Sequence, residues 1–483
     1  MRSTVATAAT AATLAALATL AACSSSRSIA HRPVAIETIV TMDGGAPVIT
    51  PSGGAPPGAE GSLSSKDSKQ VARTLAKVSE MRGIPATRPV PGVKLERDQL
   101  VARVKDKALR EYPAEALRRE GLLLQIVGFA PPSFDYLGEM LKLLEAQLEG
   151  FYEPKNGTMY LAADLKGPQA QATLAHELVH ALQDQKWDLK KRSDYKPGHG
   201  DETMALACLA EGDATSLMLD FVMKPEKSAL DIPDDAIREL MASGMNMGDI
   251  QSVPHILRST LVAPYMEGLA FVHELRRKGD WRAVDSAWAR PPTTTEQVLH
   301  VEKWEANEGP IPIPAPTGLA LGEGWKMDDE DSFGELGFAL TFSEWMEGAD
   351  ARQAASGWGG DRTAVYSKGD QIAYAVHVRY DLAVDRLAVD RLRPAARPDA
   401  YAERAFDKVA PALKKNLAKM KPSISDASAI CFDRKDLGPL LFARKGRDIV
   451  MIAGPAKVAS GAWASTGTCV TAKKWSDEVA SQK

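Results

Sequence analysis

The stretch His176-Glu177-Leu178-Val179-His180 places two imidazoles four residues apart around a carboxylate. Its surroundings are helical in pattern, because Leu174, Leu178, Val179 and Leu182 follow the spacing of an apolar helix face. Side chains four residues apart on a helix share one face, with Cβ atoms about 5–6 Å apart. Two imidazoles at that separation can bind one zinc ion. The chain has only eight histidines in 483 residues, so this pairing is informative.

A catalytic zinc site usually has a third protein ligand and a neighbouring general base. Glu177 stands beside the predicted metal and can take a proton from a metal-bound water. The metzincin spacing is excluded, because Gln183 and Lys186 stand where that pattern requires glycine and histidine. Four side chains further along the chain are candidates for the third ligand: His199, Glu202, Glu211 and Asp213.

Glu211 is the preferred third ligand. Its helical neighbours three and four residues away are small or apolar: Ala207, Cys208, Ala214 and Thr215. A carboxylate on such a face is costly unless it is paired or bound to a metal. Gly212 beside it permits close approach of another backbone. Asp213 has a similar setting, and is either the alternative ligand or the acceptor for the N–H of a ligand histidine.

The residues His176 to His180, with a glutamate on the next helix, resemble the gluzincin group of zinc metallopeptidases. The thermolysin pattern, with Asp four residues after the ligand glutamate, is absent because residue 215 is Thr. The resemblance implies a zinc site with three ligands and one base: His176, His180 and Glu211 as ligands and Glu177 as base.

The longer runs 176–185 and 211–215 also resemble a poorly characterised set of secreted bacterial and archaeal zincins, as does Pro291-Pro292-Thr293-Thr294-Thr295-Glu296-Gln297-Val298-Leu299-His300. This resemblance covers about residues 130–305. Residues 151–161 are predicted to form two short strands around an Asn-Gly turn, and Pro154 favours an edge position for the first strand. The resemblance implies that this edge aligns an extended peptide.

A zincin also needs a donor for the oxyanion that forms during hydrolysis. Three side chains are candidates for this catalytic role: Tyr265, His300 and His255. Each of them is also consistent with a purely structural role.

The N-terminus has the pattern of a targeting segment. Residues 1–22 begin with Met1-Arg2 and continue with an uncharged run of Ala, Thr and Leu, which is typical of a secretory signal. The run ends in Leu20-Ala21-Ala22-Cys23, which resembles a bacterial lipobox with Cys23 as the lipidated residue. Ser24 and Ser25 follow, as in lipoproteins of the outer membrane. The sequence therefore predicts a lipid anchor in a bacterial cell envelope, on the periplasmic face of the outer membrane or on the cell surface.

The remainder is predicted to be α+β. Residues 23–65 are rich in Gly, Pro and Ser and are predicted to form a disordered tether. Residues 66–305 are predicted to form a mainly helical, zincin-like domain with one short hairpin. A proline-rich linker at 306–324 leads to a small α+β module at 325–483. Within that module, residues 357–362 are predicted to form a tight turn.

Composition narrows the functional classes. With 59 Lys and Arg against 63 Asp and Glu, the net charge is −4, which argues against a nucleic-acid-binding protein. The four cysteines exclude a disulfide-dense scaffold. Cys431 and Cys469 are a possible disulfide in an oxidising compartment, and Cys208 is predicted to be a buried core residue. Neither the P-loop nor the dinucleotide-binding fingerprint occurs.

These observations predict a lipid-anchored zinc metallopeptidase that acts on a peptide or protein substrate. The alternative is a zincin-fold lipoprotein of the cell envelope that binds or assembles partners without hydrolysis. The intact Glu177 favours the enzyme, because a site that only holds zinc does not need that base.

Overall fold

The computed structural model describes residues 63–482, with gaps at 112–113, 148, 194–195, 224, 226, 234–235, 237–252, 383–396 and 460–461. The predicted signal peptide, the lipidation residue Cys23 and all but the end of the predicted tether lie outside the described residues. The described chain is α+β, as the sequence predicted.

The N-terminal half is mainly helical. Its first helix begins after Ser64, whose side chain accepts a hydrogen bond from the Asp67 amide, and ends at Gly83 in the left-handed conformation. Its elements in chain order are α1 Ser65–Arg82, β1 Gly92–Leu95, α2 Arg97–Glu111, α3 Ala114–Val127, α4 Tyr136–Gln147, β2 Gly150–Glu153, β3 Thr158–Ala162, α5 Gly167–Trp187, α6 Leu189–Arg192, α7 Gly200–Met223, the short 3-10 turn Ala229–Asp231, α8 His255–Ala289, α9 Thr295–Leu299 and α10 Val301–Glu305.

A three-stranded sheet contains the predicted hairpin. Its central strand β3 pairs antiparallel with β2 and parallel with β1. The edge position predicted for the strand before Pro154 is therefore confirmed, because β2 has only one partner strand. β2 packs against α5, the helix that carries the two histidines of the motif.

The helices α7 and α8 pack unusually closely. A Cβ atom on Gly212 would lie 2.1 Å from the carbonyl oxygen of Gly268, and one on Gly268 would lie 1.9 Å from that of Cys208. Only glycine fits at both positions, so the close approach predicted for Gly212 is confirmed. Cys208 is fully buried at this crossing, also as predicted.

The C-terminal part is built on one sheet of eight strands in the order β4-β5-β6-β10-β9-β8-β7, with β11 paired to β10. Apolar side chains cover both of its faces and pack against helices. Its elements are the 3-10 turn Leu319–Leu321, β4 Lys326–Asp331, α11 Gly334–Ser343, α12 Gly348–Ala355, β5 Trp358–Lys368, β6 Gln371–Tyr380, α13 Ala400–Asn416, β7 Ile424–Ser425, β8 Ala429–Arg434, β9 Gly438–Lys445, β10 Asp448–Ala459, β11 Ala462–Ser465 and α14 Cys469–Val479.

The prediction of a tight turn at 357–362 is wrong, because strand β5 begins at Trp358. The glycines of this run instead let the proline-rich segment lie against the strand. The Ile311 amide donates to the Gly359 carbonyl at 2.6 Å, and a Cβ on Gly360 would lie 2.2 Å from the Ile311 carbonyl oxygen. The linker is therefore extended but packed on the C-terminal sheet.

The C-terminal core also includes residues from the N-terminal half. Ile126 and Val127 of α3 belong to it, and the Arg434 guanidinium donates to both of their carbonyl oxygens. The predicted disulfide between Cys431 and Cys469 is present and joins β8 to α14. Among the described helices, none combines the length and apolar character needed to cross a membrane.

Candidate metal centre

Two long helices bring the candidate metal-binding side chains together. His176 and His180 lie one turn apart on α5, and Glu211 lies in the middle of α7. Every residue from 172 to 184 is buried, because the apolar side chains around the motif pack against α1, β2, β3 and α7. This packing removes the three candidate ligand side chains from solvent and restricts their orientations.

The three donor atoms converge on one point. His176 Nε2 lies 3.1 Å from Glu211 Oε2 and 3.1 Å from His180 Nε2, and His180 Nε2 lies 3.4 Å from Glu211 Oε2. Tetrahedral ligands at about 2.0–2.1 Å from a zinc ion lie about 3.3–3.4 Å from one another. The triangle therefore has the size of three zinc ligands, and its mixture of imidazole and carboxylate is a zinc-type donor set.

The charges at this point favour a cation. Burial alone would lower the pKa of His180, but the negative charge and hydrogen bond of Glu211 outweigh it and raise that pKa. Burial alone would raise the pKa of Glu211, but the two imidazoles outweigh it and lower that pKa. The carboxylate is thus held ionised and draws positive charge towards the two Nε2 atoms.

Gln183 fixes the orientation of His180. Its Nε2 donates to the Ala210 carbonyl at 3.0 Å and to Asp213 Oδ2 at 3.3 Å, so its Oε1 is the atom that faces His180. The distance from His180 Nδ1 to that oxygen is 2.9 Å. An amide oxygen can only accept, so Nδ1 carries the proton and the lone pair of Nε2 is left for a metal.

Asp213 lies behind Gln183, where it anchors this arrangement. Arg82 of α1 donates to both of its carboxylate oxygens at 2.6 and 3.2 Å, and the Trp288 indole donates to it at 2.8 Å. Arg82 also binds Asp285 at 2.8 Å and lies over the ring of Trp281. The guanidinium of Arg82 is 1% exposed, so a buried ion pair supports the helix pair that carries the ligands.

The structure does not place Asp213, the alternative candidate for the third ligand, against the two imidazoles. The triangle contains Glu211, whereas the carboxylate of Asp213 is occupied by Arg82 and Trp288. Its predicted role as acceptor for a ligand histidine also needs correction. Gln183 accepts from His180, and Asp213 acts one step further away by holding Gln183.

Tyr265 lies next to the triangle. Its ring is fully buried, and its centroid lies 6.0 Å from that of His176 in a stacked arrangement. The buried Nδ1 of His176 has no hydrogen-bond partner among the described residues, so stacking on Tyr265 is a main support for this ring. The catalytic role suggested for Tyr265 stays a prediction.

Glu177 lies between the triangle and the edge strand. The Tyr152 amide of β2 donates to Glu177 Oε2 at 2.8 Å, and burial, the largest influence on this carboxyl, raises its pKa. The site is closed to solvent: His176 is 0%, Glu177 2%, His180 4% and Glu211 2% exposed.

The other sequence candidates have separate contacts. His300 binds Glu335 at 2.9 Å, and His255 binds Glu344 at 2.9 Å. His199 and Glu202 bind each other at 2.8 Å on the surface. The described contacts of these side chains do not reach the triangle, so the structure gives the catalytic prediction for His300 no support and attaches His300 to α11 instead.

Arg82 and Gln183 were missed as site residues. Gln183 follows His180 by three residues, and that spacing on a helix was a usable signal for a contact. Arg82 had no such signal, because 131 residues separate it from Asp213.

A second cluster of three possible metal ligands contains a lysine instead. Glu296, Glu308 and Asp381 surround the ammonium of Lys303 at 2.5, 2.7 and 2.6 Å. Burial alone would lower the pKa of Lys303, but these carboxylates outweigh it and raise that pKa. We refer to these four residues as the lysine cage.

Comparisons of the chain with protein-family models, with curated proteins and with solved structures gave no match.

Proposed function

We propose that this protein is a zinc-dependent metallopeptidase, with His176, His180 and Glu211 as zinc ligands and Glu177 as general base. One observation carries the proposal: three buried donor atoms lie 3.1–3.4 Å apart, and the carboxylate next in sequence to the first ligand lies beside them. A purely structural zinc site has no need of that fourth group.

Bound zinc would supply a Lewis acid and lower the pKa of a bound water. Glu177 is placed to accept a proton from the attacking water and to return it to the leaving nitrogen. The Tyr152 amide holds Oε2 of Glu177 at 2.8 Å, which leaves Oε1 to carry the proton. The Gln183 amide holds His180 in the tautomer that binds a metal through Nε2.

The site lies beside the edge strand β2, which supports a peptide substrate. Tyr152 directs its amide towards Glu177 and not towards β3, so the outer side of β2 faces the general base. Strand edges bind extended peptides through main-chain hydrogen bonds.

A second candidate function is favoured by burial. All three ligands and Glu177 are at most 4% exposed, so a peptide reaches them only after neighbouring elements separate. A closed site of this kind also suits a protein that holds zinc for structural purposes and binds partners without hydrolysis.

We also propose attachment to a bacterial cell envelope through a lipid on Cys23. This rests on the sequence of residues 1–23 alone. Incorporation of radiolabelled palmitate into the expressed chain, and its loss in Cys23→Ser, would test it.

The enzyme proposal is tested with three forms of the full chain: wild type, Glu177→Gln and the matched control Glu202→Gln, which changes a partly exposed glutamate on α7. We expect about one zinc per chain in all three, by elemental analysis. Cleavage of a peptide library should fall about 100- to 10,000-fold in Glu177→Gln and stay unchanged in Glu202→Gln.

The outcomes separate the two candidate functions. Stoichiometric zinc with no cleavage by wild type or Glu177→Gln supports the non-hydrolytic protein. Absence of zinc from freshly purified wild type, with no uptake on dialysis against zinc, contradicts both.

A further inference from the structure

A strongly basic groove of about 770 Å³ lies at the C-terminal end of α5, beyond the site described above. Its walls come from the β2–β3 turn, the end of α5 and α6. Five cationic side chains line it: Arg88, Lys155, Lys186, Lys190 and Arg192. Asp184 and Asp188 are its two acidic residues, so the formal charge of the lining is 5 − 2 = +3.

The acidic residues of the groove are already engaged. Asp184 is 7% exposed and binds Arg88 at 2.6 Å, the Tyr152 hydroxyl at 2.9 Å and the Lys190 amide at 3.1 Å. Asp188 accepts a hydrogen bond from the Lys191 amide. Because Arg88 is the ion-pair partner of Asp184, the other four cationic side chains of the groove face Asp188 alone among its acidic residues.

The cationic side chains of the groove differ in how many contacts they make with other protein groups. Lys186 binds Asp285 at 2.6 Å, and the Arg192 guanidinium donates to the Trp187 carbonyl. The ammonium of Lys190 is exposed and has no ion-pair partner among the described residues. The carbonyl end of α5 opposes an anion here, but the formal charge of +3 in the lining exceeds its partial charge of about −0.5.

One residue links the groove to the candidate metal centre. Tyr152 donates its amide to Glu177 and its hydroxyl to Asp184, so it spans from the general base to the groove wall. Glu177 and Asp184 lie seven residues apart on α5, which is about 10 Å along the helix axis. An extended peptide rises about 3.3 Å per residue and covers that distance in about three residues.

We propose that the basic groove binds an acidic side chain of the substrate about three residues from the scissile bond. This inference rests on the metallopeptidase proposal and adds a substrate class to it: peptides with Asp or Glu at that distance. The net positive charge of the groove would also disfavour a lysine at that position of the substrate.

The test uses the full zinc-loaded chain and pairs of peptides that differ by Glu against Gln at one position, from three residues before the scissile bond to three after it. We expect Glu at the third position on one side to raise kcat/KM by about three- to tenfold, and salt to weaken this preference. The double variant Lys155→Glu with Lys190→Glu should lose it, whereas the control Lys415→Glu, on α13, should keep it.

Equal cleavage of Glu and Gln peptides at every position would overturn the proposal while leaving the enzyme intact. Failure of catalysis is detected separately, because fluorescence anisotropy with Glu177→Gln measures binding of the same peptides without cleavage. If catalysis fails but the Glu peptide binds more tightly than the Gln peptide, and the two lysine substitutions abolish this difference, the result supports the proposed role of the groove. Binding to phosphatidylglycerol vesicles that depends on the two lysines, with no difference between the peptides, would assign the groove to a membrane surface and overturn the proposal.

Discussion

The triangle of His176, His180 and Glu211 and the lysine cage are alike in size and differ in how their charge is balanced. In each, three donor atoms lie within 4.8 Å of one another. The cage contains the Lys303 ammonium, 2.5–2.7 Å from an oxygen of each carboxylate. The triangle receives no Lys or Arg in the described part of the chain, since the nearby Arg82 is committed to Asp213 and Asp285.

This difference has a physical reason. Glu296 is buried and the other two carboxylates are partly exposed, and three carboxylates this close together need a cation, which Lys303 supplies. Two imidazoles and one carboxylate carry less charge, so they fold without a lysine and keep their lone pairs for a metal. In the lysine cage, a side chain of the protein therefore balances the charge of the carboxylates. In the triangle, no lysine or arginine of the described residues does so, and the donor set is of the type that binds zinc.

The largest effect should follow loss of the cation in the cage. Lys303→Met leaves Glu296, Glu308 and Asp381 around an uncharged side chain, and we expect the free energy of unfolding to fall by about 3–5 kcal/mol. Urea unfolding followed by circular dichroism measures it. The control Lys457→Met removes an exposed ion pair with Asp370 and should cost at most about 1 kcal/mol.

A smaller replacement sharpens the same comparison. Lys303→Ala leaves room between three carboxylate oxygens, a donor set that suits calcium. Millimolar calcium should then recover part of the lost stability, whereas the wild-type chain should not respond. An equal response of both chains would show that the lysine does not occupy the place of a metal.

Asp201 is a further buried acid, and its Oδ1 accepts hydrogen bonds from the amide and the hydroxyl of Thr295. Burial raises the pKa of Asp201 to about 7, although hydrogen bonds from Thr295 work against this. In the unfolded chain an aspartate has a pKa of about 3.9. Between these two pKa values, the folded chain therefore holds a proton that the unfolded chain has lost. Stability should therefore fall as pH rises from about 4 to 7, by at most about 1.4 kcal/mol per pH unit.

Asp201→Asn should remove this contribution, because an amide resembles the protonated acid. Urea unfolding at pH 5, 6 and 7 compares the variant with wild type. Asp350→Asn, at an exposed residue of α12 that pairs with Lys408, is the control and should leave the slope unchanged. An identical slope in Asp201→Asn and wild type would contradict the assignment.

Zinc should stabilise the triangle and leave the cage unaffected. At free zinc about 100 times its Kd, we expect the free energy of unfolding to rise by about 2.7 kcal/mol in wild type and in Lys303→Met, and a chelator to reverse this. His180→Ala should abolish the response. His199→Ala, at an exposed histidine paired with Glu202, should retain it. Thermal unfolding in zinc-buffered solution tests all four chains.

The smallest effect should come from Gln183. Gln183→Leu removes the acceptor for the Nδ1 proton of His180, and we expect the Kd for zinc to rise about 10- to 100-fold. Competition with a chromophoric chelator measures it, and the cobalt-substituted spectrum reports altered ligand geometry. Gln185→Leu changes a neighbour that bonds to Thr87 and Arg88 instead, and should leave both unchanged. If both variants weaken zinc equally, Gln183 has no special role.

Local sequence patterns predicted several features of this structure correctly. The helix with its two histidines, the hairpin with an edge strand, the tight crossing at Gly212 and the Cys431–Cys469 disulfide all follow from spacing or residue chemistry, because each depends on residues near one another in sequence or on a short list of cysteines. The prediction of a turn at 357–362 was wrong because it considered only local sequence. The glycines of this run allow close contact with Ile311, which lies in a different segment of the chain.

By itself, the sequence determined that a helix presents His176 and His180 on one face with Glu177 next to them in the chain, since helical periodicity places residues four apart on the same face. Only the tertiary structure shows which of Glu211 and Asp213 lies against the two imidazoles. Both are buried on α7, and the register in which α7 lies along α5 places the first against the imidazoles and the second against Gln183 and Arg82. That register depends on packing between distant segments, and so does the pairing of Lys303 with Asp381.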